Sequence, residues 1–109
     1  MQPISVGRLE IRPDEFSASV DGERLDLTVR ELQLLTALAA RADRIVSRSE
    51  LYAAVWGRPY RRDERSVDVY VRKLRLKLEE ALPGWTVIHT HFGFGYRLSP
   101  VLHTRATSR

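Results

Sequence analysis

The sequence has no cysteine, a single methionine and no long apolar run. Without cysteine neither a disulfide framework nor a thiolate metal site can form, and a reducing, cytoplasmic setting is compatible with that. No stretch approaches the roughly 18 apolar residues of a membrane span, and no signal-peptide segment opens the chain. A nucleophile–base–acid set, a Gly-rich phosphate loop and EF-hand spacing are also missing, and Gly93-Phe94-Gly95 lacks the strand-to-helix context of a nucleotide-binding turn. These gaps argue against an enzyme, a cofactor and a small-molecule substrate. His89 and His91 fall on one face of a strand. They lack a third ligand, so solvated or phosphate-facing histidines are expected rather than a metal pair.

What is present is a chain of 109 residues, 43% apolar and 29% charged, the balance of one soluble globular domain. Its net charge of +4 is unevenly placed. Between Arg58 and Lys77 eight cations face three acids, Asp63, Glu64 and Asp68, an excess larger than that of the whole chain. The rest is close to neutral, and the basic character is local, which suits nucleic acid at one surface.

Apolar alternation at Ile4, Val6, Leu9 and Ile11, with a break in parity near Arg8, predicts one or two strands. Phe16–Val20 and Leu25–Leu27 predict two more around an Asp21-Gly22 hairpin turn. The period then lengthens. Thr28 with Glu31 and Ser47 with Glu50 are capping boxes, each opening a helix. The first is apolar almost all round at Leu32, Leu34, Leu35 and Leu38, hence central, and Gly57 closes the second. A loop around Pro59 separates these from a third helix, with Asp63 a candidate cap and Pro83-Gly84 a stop. Val87–Ile88 and Tyr96–Leu98 predict a hairpin turning at Gly93 and Gly95. Residues 1–99 are read as one domain, and 100–109 as a polar, loose tail. The class is α+β: a small N-terminal antiparallel sheet, three helices and a C-terminal β-hairpin, or a helix-turn-helix with a wing.

The third helix has two apolar sides. Val67, Tyr70, Val71, Leu74, Leu78 and Leu82 form a core-facing stripe, while Arg65, Val69, Arg72, Lys73 and Leu76 lie opposite. An ordinary solvated helix would pair its arginines with Asp68, Glu79 and Glu80. A recognition helix would instead present Val69 to thymine methyls and Lys73 to base-edge acceptors, with arginines toward phosphates. A third reading docks this outer face on a partner protein, with Leu76 free or covered by another element.

The stretches "LTVRELQLLTAL", "VSRSELYAAVWG", "RSVDVYVRKLRLKL" and "FGFGYRL" resemble, in order and spacing, the OmpR/PhoB-type winged helix-turn-helix. That family is the DNA-binding output domain of bacterial two-component response regulators, and the likeness runs from about Ile4 to Leu98. The resemblance implies sequence-specific binding of double-stranded DNA to control transcription. It implies base contacts at Val69 and Lys73, and phosphate or sugar contacts at Arg48, Trp56, Arg65, Arg72, Arg75, Thr90 and Tyr96. For Trp56 a mostly core ring is expected, with only the indole N–H left for a phosphate. Phe92 stands where many members place a minor-groove arginine, so weaker readout is expected there. Phe94 and Tyr96 are expected to pack within the hairpin. In related activators the loop matching Arg58, Tyr60, Arg61 and Arg62 touches RNA polymerase, often its sigma subunit; an exposed connection meeting DNA or water is the alternative. The family also implies two copies on tandem half-sites and a cytoplasmic location. A receiver domain would carry regulation by phosphorylation, and this length leaves no room for one. An effector domain or a stand-alone regulator is therefore expected.

Overall fold

Turn chemistry sets the N-terminal sheet in the computed structural model of the chain, which describes residues 2–61 and 64–103. β1 (Ile4–Val6) returns through Gly7-Arg8 into β2 (Leu9–Arg12), with Val6 opposite Leu9. A single 3-10 turn, Pro13–Glu15, leads to β3 (Ser17–Val20), which pairs with β2 and with β4 (Glu23–Arg24) in the order β1-β2-β3-β4. Alternation puts Leu9, Ile11, Ala18 and Val20 on the buried face. The two-residue Asp21-Gly22 turn sets Glu23 opposite Val20, so the last strand is Glu23–Arg24 rather than Leu25–Leu27. Leu25 and Leu27 pack half-buried against the core instead.

Both capping boxes form. Thr28 opens α1 (Val29–Ala39) and Ser47 opens α2 (Arg48–Trp56), each with the reciprocal glutamate bond. Gly57 closes α2 at φ 72. α3 (Ser66–Ala81) has Arg65 at its N-cap with no side-chain cap bond, so the cap expected from Asp63 is not at that position. Asp63 and Arg62 themselves lie outside the described residues. Leu32, Leu34, Leu35 and Leu38 are all buried, and α1 packs against both other helices. Val67, Val71, Leu74, Leu78 and Leu82 face the same core, with Tyr70 half-buried at its margin.

β6 (Trp85–His91) and β7 (Gly95–Leu102) form the hairpin, and a short strand missed in the sequence, β5 (Ile45–Val46), pairs with β7 to give the order β5-β7-β6. Leu102 lies opposite Trp85 and Val101 opposite Thr86. Residues 100–102 are thus strand, not the beginning of a tail; residues 104–109 lie outside the described residues. The fold is the α+β winged helix-turn-helix, with α2 and α3 joined by a loop and the β6–β7 wing beside α3.

Candidate nucleic-acid interface

The two sides of α3 separate as its sequence requires. Opposite the buried stripe, Val69 is 47% and Leu76 58% exposed, and Arg65, Arg72 and Lys73 are exposed beside them. Among the described residues no other element covers Leu76. Within α3 no ion pair forms among the described residues, so the solvated-helix arrangement of arginines laced to Asp68, Glu79 and Glu80 is absent. The Lys73 ammonium lies over the Tyr70 ring, 5.0 Å from its centroid, which holds the donor close to the helix. Arg72 meets no partner among the described residues.

Asp68 reaches across to other elements. Its Oδ1 accepts from Arg48 Nε of α2 at 2.7 Å and from the Tyr96 hydroxyl of β7. Burial alone would raise this carboxyl. Bonds from Tyr96 and Arg48, with the charges of Arg48 and Arg65, outweigh burial and hold it below its ordinary range. Burial pushes the Tyr96 phenol up, and its bond to Asp68 adds to that. Arg48 also lies over the Tyr96 ring at 5.2 Å. One carboxylate thus ties together α2, α3 and the wing. Sequence reading offered Asp68 only as a partner within its own helix; an acid one turn into a basic helix was the available signal.

A second brace joins α3 to β6. Arg75 Nε donates to the Ile88 carbonyl at 3.2 Å, and its Nη2 donates to Thr90 Oγ1. Arg75 and Thr90, expected separately at phosphates, are bonded to each other and half-buried, leaving the remaining guanidinium N–H groups for a ligand. His89 Nε2 bonds the Ser99 carbonyl at 2.7 Å, and His91 Nε2 accepts from Arg97 Nε at 3.0 Å. Both rings serve the hairpin rather than standing free in solvent.

At the hairpin turn the expectation for Phe94 fails. Tyr96 is buried, but Phe94 is 72% and Phe92 86% exposed. Phe94 precedes the strand and sits in the turn closed by its own N–H to the His91 carbonyl, 2.8 Å away, so strand alternation does not reach it. Gly95 is required where it stands. A Cβ there would come within 2.1 Å of the Val46 carbonyl oxygen, and its φ is 146.

Trp56 is half-buried, stacked on Tyr52 at 4.9 Å and edge-on to Tyr70 at 5.6 Å. Tyr60 packs edge-on against Tyr52, and its hydroxyl donates to the Glu64 carbonyl at 3.2 Å. It props the α2–α3 loop from inside, which limits what it can offer a partner. Arg58 and Arg61 are exposed on that loop.

Residues 22–98 match the profile of a family described as transcriptional regulatory protein, C terminal. The chain belongs to that family. It is an OmpR/PhoB-type effector domain, a DNA-binding module of transcriptional regulators and not a class of enzyme. Over 96 residues it is 41% identical to the transcriptional regulatory protein AfsQ1 of Streptomyces coelicolor, covering 88% of this chain and 43% of that one. Over 97 residues it is 40% identical to the transcriptional regulatory protein PrrA of Mycobacterium tuberculosis, covering 89% and 41%. The effector domain thus spans about two fifths of the length of these relatives. Among solved structures, the DNA-binding domain of CpxR from E. coli superposes with a TM-score of 0.82 at 31% identity, covering 91% of this chain and 97% of that one. The Klebsiella pneumoniae RstA DNA-binding domain in complex with the RstA box gives 0.80 at 31% identity, covering 91% and 98%. Among the described residues of this effector domain, no helix is long and apolar enough to cross a membrane.

Proposed function

We propose that this effector domain reads double-stranded DNA by laying the outer face of α3 in the major groove, with Val69 and Lys73 at base edges. The observation that carries the reading is the exposed row Val69, Lys73 and Leu76, set opposite the buried stripe and flanked by Arg65 and Arg72. A valine methyl suits a thymine methyl, and an ammonium donates to guanine or thymine acceptors without the bidentate fork of arginine. Arg65 and Arg72 neutralise phosphates on either side and set the register. Arg48, Arg75, Thr90 and Tyr96 act a step behind them: they hold helix and wing in one frame, and the two arginines offer their remaining N–H groups to the backbone. Trp56 gives its face to the aromatic cluster and only its edge to DNA.

The same proposal seats Phe92 at the adjacent minor groove and pairs two copies on tandem half-sites in the cytoplasm, at the nucleoid. The α2–α3 loop, propped by Tyr60, presents Arg58 and Arg61 as a basic surface for RNA polymerase.

Selection of duplexes from a random pool at about 0.15 M salt tests the core of this reading. A repeated motif bound about a thousandfold above random DNA is expected, and its repeat spacing reports the half-sites. Enrichment of no motif, with binding lost as salt rises, would turn the Val69/Leu76 face over to a protein partner.

A further inference from the structure

The wing tip holds two side chains that the major-groove contacts do not use. Phe92 and Phe94 are the most exposed large apolar residues among those described, at 86% and 72%. They flank Gly93, whose φ of 85 makes the tight corner. The stretch Phe92-Gly93-Phe94 carries no charge, and the nearby Arg97 turns its Nε back to His91. Below the tip the hairpin is fixed at three points: Gly95 against the Val46 carbonyl, Tyr96 on Asp68, and Thr90 on Arg75. Two of these points are on α3 itself. Both strands of the hairpin that carries the phenyl rings are therefore anchored to α3.

We propose that Phe92 and Phe94 form an apolar wedge that enters the minor groove beside the α3 site and partly unstacks one base step. This rests on the DNA-binding reading above and adds to it a source of specificity. Apolar side chains pushed between base pairs kink a duplex toward its major groove, at a cost that depends on the step opened. Pyrimidine–purine steps open most easily, whereas A-tracts are stiff and reward a cation in their narrow groove. An uncharged tip on a rigid base cannot collect that reward. It selects a deformable step at a fixed spacing from the α3 contacts, at a position where no hydrogen bond is made to a base.

The test uses the full chain and the duplex won by selection, remade with either a TA step or an A-tract in the flank facing the wing. Wild type is expected to prefer the TA duplex by about tenfold. It should also raise the fluorescence of 2-aminopurine placed at that step and shorten the end-to-end distance seen by energy transfer. The double variant Phe92→Ala/Phe94→Ala removes two exposed side chains, so its thermal melt should match wild type. Its flank preference should fall to within about twofold, with neither the fluorescence rise nor the bend. Phe92→Arg should shift preference toward the A-tract. An unchanged flank ratio and bend in the double variant, with the α3 motif still selected, overturns the wedge alone. Loss of self-association with no change on DNA overturns it too, in favour of a second copy at the tip. If wild type selects no motif, the DNA-binding reading fails and the wedge falls with it.

Discussion

Arg72 and Lys73 are neighbours in sequence but about 100° apart around α3, and that rotation gives them different tasks. Lys73 shares a face with Val69 one turn earlier, so Lys73→Ala should relax base preference and cost roughly 1–3 kcal/mol at the cognate site. Equal loss on cognate and random duplexes would remove it from base reading. Arg72→Ala should instead weaken all duplexes alike and flatten the dependence of log K on log salt by about one unit. Unchanged binding and slope would place Arg72 away from phosphate. Asp68 works in the opposite sense. As Asp68→Asn keeps the side chain's shape but removes the charge that neutralises Arg48, binding to random duplexes should tighten and the salt slope steepen by about one unit. A slope identical to wild type would mean that Arg48 is remote from the DNA backbone. The exposed residues of this face were legible from helical period alone. The Asp68 and Arg75 braces were not, because their partners lie 13 to 28 residues away and no local spacing announces them.

Elements were legible where local chemistry decides them. Thr28 with Glu31 and Ser47 with Glu50 satisfy helix amides within four residues, so both helix starts can be read from sequence and both are found. The third helix shows the limit: its N-cap falls on Arg65, which makes no cap bond, and its start is held by tertiary packing of Val67 and Val71. β5 is two residues long, and it exists because β7 offers it an edge; no periodicity fits in so short a piece. That same strand explains Gly95, which a sequence reading credits only with a turn. Gly95→Ala would drive a methyl into the Val46 carbonyl and the Ser47 backbone, 2.1 and 2.9 Å from the new carbon. Backbone must move, so a loss of about 2–3 kcal/mol in urea unfolding is expected, with faster amide exchange in β5 and at the wing base. Wild-type stability in the variant would show that the two strands separate freely, and the rigid frame behind the wing tip would go with them.

At the scale of the molecule, the outer and inner faces of α3 are joined to the rest by a buried charge. Glu31 is 2% exposed; its Oε1 accepts from Lys77 Nζ at 2.7 Å and from the Thr28 amide at 2.9 Å. Lys77 also donates to the Asp26 carbonyl at 2.8 Å, so one ammonium links the loop before α1, α1 itself and α3. Burial works to raise the Glu31 carboxyl, but the bonds from Lys77 and Thr28 win and leave it below its ordinary value of 4.5. A native value below the unfolded one means that the unfolded chain takes up the proton first. The stabilisation is therefore complete above the unfolded value and is lost as pH falls through the native one. Lys77→Met tests this as a coupling rather than a contact. It leaves the carboxylate buried without its cation, so unfolding at pH 7 should become easier by roughly 3 kcal/mol. Near pH 4 the stranded carboxyl takes a proton and the gap between variant and wild type should narrow. Urea titrations at both pH values, followed by tryptophan fluorescence, report it directly. A gap of equal size at the two pH values would mean that Lys77 contributes packing alone, and that the orientation of α3 against the N-terminal half of the domain is set without this charge.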